Sequence, residues 1–139
     1  MMKLIVLLGR ILFSLIFLMT ARGHFSKESI GYASSQGVPA TYFLVPFSGI
    51  LAIVGAICII IGYKAKFGAW LLVLFLIPVT FMMHNFWTVT DPMMKQMQMA
   101  MFMKNLSILG GALLITYFGS GPLSLETKKI GRNQNHRIG

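Results

Sequence analysis

The chain has 139 residues, of which 56% are hydrophobic and only 11% charged, with a mean hydropathy of +0.76; so few charges cannot cover a water-facing surface, which excludes an ordinary soluble domain. A net charge of +9, from 12 Lys and Arg against 3 Asp and Glu, would suggest nucleic acid in a soluble chain. Here the bases sit in connectors and near the ends, where membrane proteins use them to set orientation and meet anionic lipid, and no basic-aromatic RNA motif accompanies them. The composition predicts an all-α membrane protein, a four-helix transmembrane bundle with no nucleic-acid partner.

Four apolar stretches approach the roughly 20 residues needed to cross a bilayer. The first covers about 4–21; Arg10 interrupts its core and no A-x-A site follows, so it reads as a retained helix and not a signal peptide. The connector over 22–41 carries His24 and Glu28, with a short interfacial helix expected before Gly37-Val38-Pro39. The second span, about 42–63, has small residues at Ser48, Ala52, Gly55 and Gly62, a seam along which another backbone can approach. Lys64-Ala65-Lys66 is so short a link that the third span, about 67–87, must run antiparallel beside the second. Pro78 predicts a kink within it. A loop over 88–95 leads to the fourth span, about 96–118, which Gly119-Ser120-Gly121-Pro122 stops. The expected organisation is one membrane domain over 1–127 and a basic polar tail over 128–139.

Basic residues also set the expected topology. Lys3, Lys64, Lys66, Lys128, Lys129, Arg132 and Arg137 share one side, against Arg22, Lys27 and Lys95 on the other. The richer side marks the cytoplasm, so both termini are expected there, in a multi-pass protein of the bacterial inner membrane.

The densest run of functional groups is Thr80–Asn105, at the junction of the third and fourth spans. An ionisable group within a span is costly and by default faces the bundle interior, although a long side chain also snorkels to the interface. Lys104 lies roughly 10 Å along its helix from the outer boundary, and Arg10 a similar distance from the inner one. With only three acids available, Asp91 is the topological partner for Lys104 and Glu126 for Arg10, the latter pair acting as structural charge. His84, Trp87, Asp91, Lys104 and Asn105 form the candidate ligand-binding set. A lone histidine is more often structural, and Trp87 is equally an interfacial anchor.

The eight methionines between Met82 and Met103 suggest a thioether copper site, but alternate positions spread the sulfurs around a helix, and methionine is also an adaptable apolar filler. A haem held by His24 and His84 has no further support. Cys58 is the single cysteine, so the chain has no internal disulfide or dithiol relay. No phosphate loop, metal cluster or Ser/His/Asp arrangement stands out, and catalytic residues are unassigned.

The segments Gly9–Phe25, Gly37-Val38-Pro39, Leu44–Leu72, Pro78–Trp87, Phe102–Leu114 and Phe118–Leu125 together resemble the DoxX family of small four-helix bacterial membrane proteins. That resemblance implies a membrane subunit of a quinone-linked redox system handling oxidative stress. It would be at most an accessory to an oxidoreductase complex, with redox partner proteins and a quinone as the possible ligand. On this expectation the outer polar cluster binds the quinone head and Trp87 stacks on it. The alternatives are a non-catalytic scaffold or homo-oligomer joined through the Ser48–Gly62 seam, surrounded by membrane lipids, and a small-solute permease.

Overall fold

A computed structural model describes residues 2–127; the tail over 128–139 lies outside the described residues. Helices α1 (Met2–Ala21), α2 (Lys27–Ser35), α3 (Thr41–Ile61), α4 (Ala65–Met83) and α5 (Pro92–Phe118) follow one another, with single 3-10 turns at Arg22–Phe25 and Phe86–Thr88 and no strand among the described residues. Among the described residues four helices are long and apolar enough to span a membrane: α1 extended through Phe25, α3, α4 extended through Thr88, and α5.

Local chemistry explains the helix ends. Ser26 caps α2 by accepting the Ser29 N–H at 3.2 Å, and Gly37, at φ +80°, follows its end. Gly62, at φ +65°, closes α3, with the Tyr63 N–H reaching back to the Cys58 carbonyl at 3.1 Å. Asp91 caps α5 by accepting the Met94 N–H at 2.8 Å, and Pro92 occupies the first turn, where its missing N–H costs nothing. α5 therefore begins a turn before the expected residue 96. Within the preceding span the regular helix α4 stops at Met83, and His84 leads into the Phe86–Thr88 turn that completes the span.

α1 packs on α3, α3 on α4 and α4 on α5, around a core that includes Phe17, Ala52, Ala56, Ile59, Ala69, Leu72, Phe75, Leu76 and Ala112. The ring closes where the Phe13 side chain lies over Gly111 of α5; a β-carbon at Gly111 would sit 2.9 Å from that ring. The small residues of α3 are used up inside the bundle. Ala52 is buried in the core, Gly55 faces α4, Gly62 lies against Arg10 and Ser124, and Ser48 turns toward His24. No open seam is left for oligomerisation along that stripe.

The two ends of the bundle differ. One end gathers the start of α1, the α3–α4 link and the segment after α5. The other gathers the 22–40 segment, which includes α2, and the α4–α5 junction.

At the first end Arg10 is only 5% exposed and donates to the Ser120 carbonyl at 2.9 Å and the Leu123 carbonyl at 2.6 Å. Glu126 accepts the Lys64 N–H at 3.0 Å and the Ser120 hydroxyl at 2.6 Å. The expected Arg10–Glu126 partnership is thus indirect, with Ser120 between them. Two of the guanidinium nitrogens are satisfied by carbonyls that the glycine-rich turn after α5 leaves free, while Nε is buried without a partner among the described residues.

Candidate functional site

The opposite end holds a cavity of about 740 Å³. Leu44, Val45, Phe47 and Leu51 of α3 and Leu74, Phe75, Pro78 and Val79 of α4 form its apolar walls. Thr20, Gly23, His24, Glu28, Ser29 and Tyr32 close its polar end, together with His84. α2 roofs it because the connector after α1 turns sharply at Arg22–Phe25 and folds back over α3.

Hydrogen bonds orient both histidines. The Ser48 hydroxyl donates to the Val45 carbonyl at 2.7 Å, so it accepts from His24 Nδ1 at 3.1 Å. The His24 ring also meets Phe75 edge-on, with centroids 5.4 Å apart. His84 Nδ1 donates to Gln98 Oε1 at 2.8 Å, and Gln98 Nε2 in turn donates to the Tyr32 hydroxyl at 3.4 Å. In the neutral form each ring keeps Nε2 as an acceptor. With its proton directed at the Val45 carbonyl, Ser48 acts here as an acceptor that orients His24.

Of the sequence-predicted set, His84 alone lines the cavity. Trp87 is exposed, edge-on to Phe86 and Phe102 at centroid distances of 5.3 and 5.9 Å. Asp91 is committed to the α5 cap. Lys104 faces outward, with Nζ 3.4 Å from Met101 Sδ on its own helix. Asn105 is 7% exposed and sits inward, on a different face of α5 from Lys104. The expected convergence of imidazole, carboxylate and cation does not form. Neighbouring positions on a helix point about 100° apart, so Lys104 and Asn105 cannot serve one pocket.

Sequence reasoning missed the larger part of the site: His24, Ser48, Glu28 and Tyr32, which assemble only when α2 folds onto α3. The α5 methionines Met93, Met94, Met97, Met99, Met101 and Met103 are exposed whereas Met82 and Met83 line the cavity, and among the described residues no three His, Cys, Asp or Glu side chains come together as a metal site.

A ring of apolar spans around a side cavity, capped by a short helix, defines a multi-pass membrane protein with a cavity at one end of the bundle. The SURF4 family model matches residues 2–131, and the chain belongs to the SURF4 family. It is 40% identical over 83 residues to the ER-derived vesicles protein ERV29 of Saccharomyces cerevisiae, covering 60% of this chain and 26% of the relative. To the Surfeit locus protein 4 homolog of Schizosaccharomyces pombe it is 34% identical over 124 residues, 88% of this chain and 37% of the relative. To the Escherichia coli inner membrane protein YqjF it is 30% identical over 127 residues, 87% of this chain and 88% of the relative. The chain thus spans only about a quarter to just over a third of the two yeast relatives. No solved structure matches it significantly.

This corrects the DoxX resemblance. The segments that carried it are apolar spans with small-residue spacing, which any closely packed membrane bundle requires, so they do not separate one such family from another. The quinone-linked redox role, with its oxidoreductase complex and oxidative-stress setting, falls with it: the family is SURF4, and the polar groups meant to hold a quinone head do not meet.

Proposed function

We propose that this chain is a non-catalytic membrane binding protein of the SURF4 type, whose cavity beneath α2 receives an apolar ligand or the apolar part of a client. The cavity carries this reading. It has the volume and the mainly apolar lining, with a few convergent polar groups, of a ligand site. Binding without turnover also suits a family in which one relative is named for ER-derived vesicles and another for the bacterial inner membrane. Residues 2–127 act as one unit, with His24, Ser48, Tyr32 and His84 as the polar contacts.

The inner-membrane relatives support a plasma-membrane location, and the excess of bases at the Arg10 end supports placing that end in the cytoplasm, with the cavity on the opposite face. Membrane fractionation and thiol labelling of single cysteines at Ser35 and Lys66, in a Cys58→Ser background, check both points. Only the Ser35 position should react with an impermeant reagent in intact cells.

Photo-crosslinking tests the binding reading. A photoreactive residue at Val79, within the cavity, should capture a discrete adduct in native membranes, whereas the same residue at Leu114 on the outside of α5 should not. Equal, diffuse labelling from both positions would reject the cavity as a seat.

A further inference from the structure

The walls of the cavity are not continuous. Among its lining residues Leu74 is 60% exposed, Phe47 44% and Leu44 38%, so it opens on the flank of the bundle between α3 and α4. These are membrane-spanning helices, and the opening faces acyl chains and not water. From His84 at the polar end to Leu74 at the open flank is about 15 Å along α4 at 1.5 Å per residue. That is about half of a 30 Å hydrocarbon core, the depth of one leaflet.

The polar end carries the Glu28 carboxylate and two imidazoles, beside the Ser29 and Tyr32 hydroxyls, which can donate or accept. Nδ1 of His24 and of His84 is already engaged, so in the neutral form each ring keeps an Nε2 lone pair, and Glu28 adds a carboxylate to the same lining. Arg22 and Lys27, both exposed, flank these groups in sequence. An acyl chain along the α3–α4 opening would bring its head group to this polar corner, with the two bases placed for an adjoining phosphate.

We infer that the cavity is loaded sideways from the bilayer by a lipid of one leaflet, whose head group carries a hydrogen-bond-donating ammonium. Phosphatidylethanolamine has that chemistry; phosphatidylcholine, with matched chains, has a quaternary nitrogen that donates nothing. An apolar peptide segment is the rival occupant. The inference rests on the cavity being the binding seat.

The test is native mass spectrometry of the purified, delipidated protein titrated with the two phospholipids. Phosphatidylethanolamine should bind about tenfold more tightly than phosphatidylcholine, the scale of one hydrogen bond to a charged donor. Leu74→Trp, which fills the flank opening, should abolish the adduct, and Leu114→Trp on the outer face of α5 should leave it intact. His84→Phe should bring the ratio between the two lipids toward unity while some binding persists, an internal ratio that does not depend on comparing yields of folded protein. Equal binding of both lipids, insensitive to Leu74→Trp, would mark ordinary boundary lipid and overturn the inference. If no lipid binds while Val79 still crosslinks to a discrete protein, the lipid inference fails and the cavity reading stands. If neither occurs, both fail.

Discussion

Gly55 of α3 and Gly68 of α4 meet backbone to backbone: a β-carbon on either would lie 2.8 Å from the carbonyl oxygen of the other. This contact sets the distance between the two helices that wall the cavity, and no side chain at the crossing can yield to relieve a clash. Gly55→Val should therefore force α3 and α4 apart, at a cost of roughly 1–3 kcal/mol. Thermal unfolding in detergent should show a clear fall in Tm. Gly9→Ala, where an added carbon meets nothing within 4 Å, should show little change.

Arg10 fastens the far end. Its guanidinium holds the carbonyls of Ser120 and Leu123, and Glu126 ties the same segment to the α3–α4 link. Arg10→Met should free the segment after α5 and cost about 3 kcal/mol, as charge-assisted bonds are lost and buried carbonyls are left unpaired. Limited proteolysis should then cut near residues 119–127 while α1 and α3 remain protected. Arg10→Lys should rescue only part of the loss, since an ammonium lacks the planar fork that reaches both carbonyls.

The roof of the cavity is held by a relay from α4 through α5 to α2: His84 to Gln98 to Tyr32. Removing its middle member, Gln98→Ala, should loosen α2 without unfolding the spans. Amide exchange in Lys27–Ser35 should quicken about fivefold, equivalent to one net hydrogen bond of about 1 kcal/mol, with the exchange of α3 unchanged. Tyr32→Phe should reproduce the effect, since it removes the acceptor from Gln98.

Much of the architecture was legible in the sequence because hydrophobic length decides it. The four spans, their antiparallel order and the interfacial helix after α1 follow from apolar runs and turn residues. The start of α5 was missed although Asp91-Pro92 is a capping residue followed by proline, a helix-start signal that the surrounding polar loop obscured. The site was only half legible. His84 is found by its position at a span end, but His24 gains its meaning from Ser48, 24 residues away, and nothing in the local pattern announces that contact. Lys104 and Asn105 show the opposite failure: adjacency in sequence suggested one site, and helical geometry separates them.

Lys104 is accordingly expected to be dispensable for binding. Among the described residues its Nζ hydrogen-bonds only the Met101 sulfur, and the side chain is on the outside of the bundle. Lys104→Met should leave ligand binding unchanged and hold or raise Tm, because it removes an unpaired cation from a spanning helix. A loss of binding in titrations of this variant would return Lys104 to the site.

Everything functional here depends on the space between Phe47 and Leu74 being occupied by a ligand in the membrane. An experimental structure of the protein in lipid nanodiscs answers that point. The expected result is continuous non-protein density running from the α3–α4 opening to the His24–His84 end beneath α2. A cavity collapsed by inward rotation of Phe47 and Leu74, with α2 packed directly on α4, would contradict it.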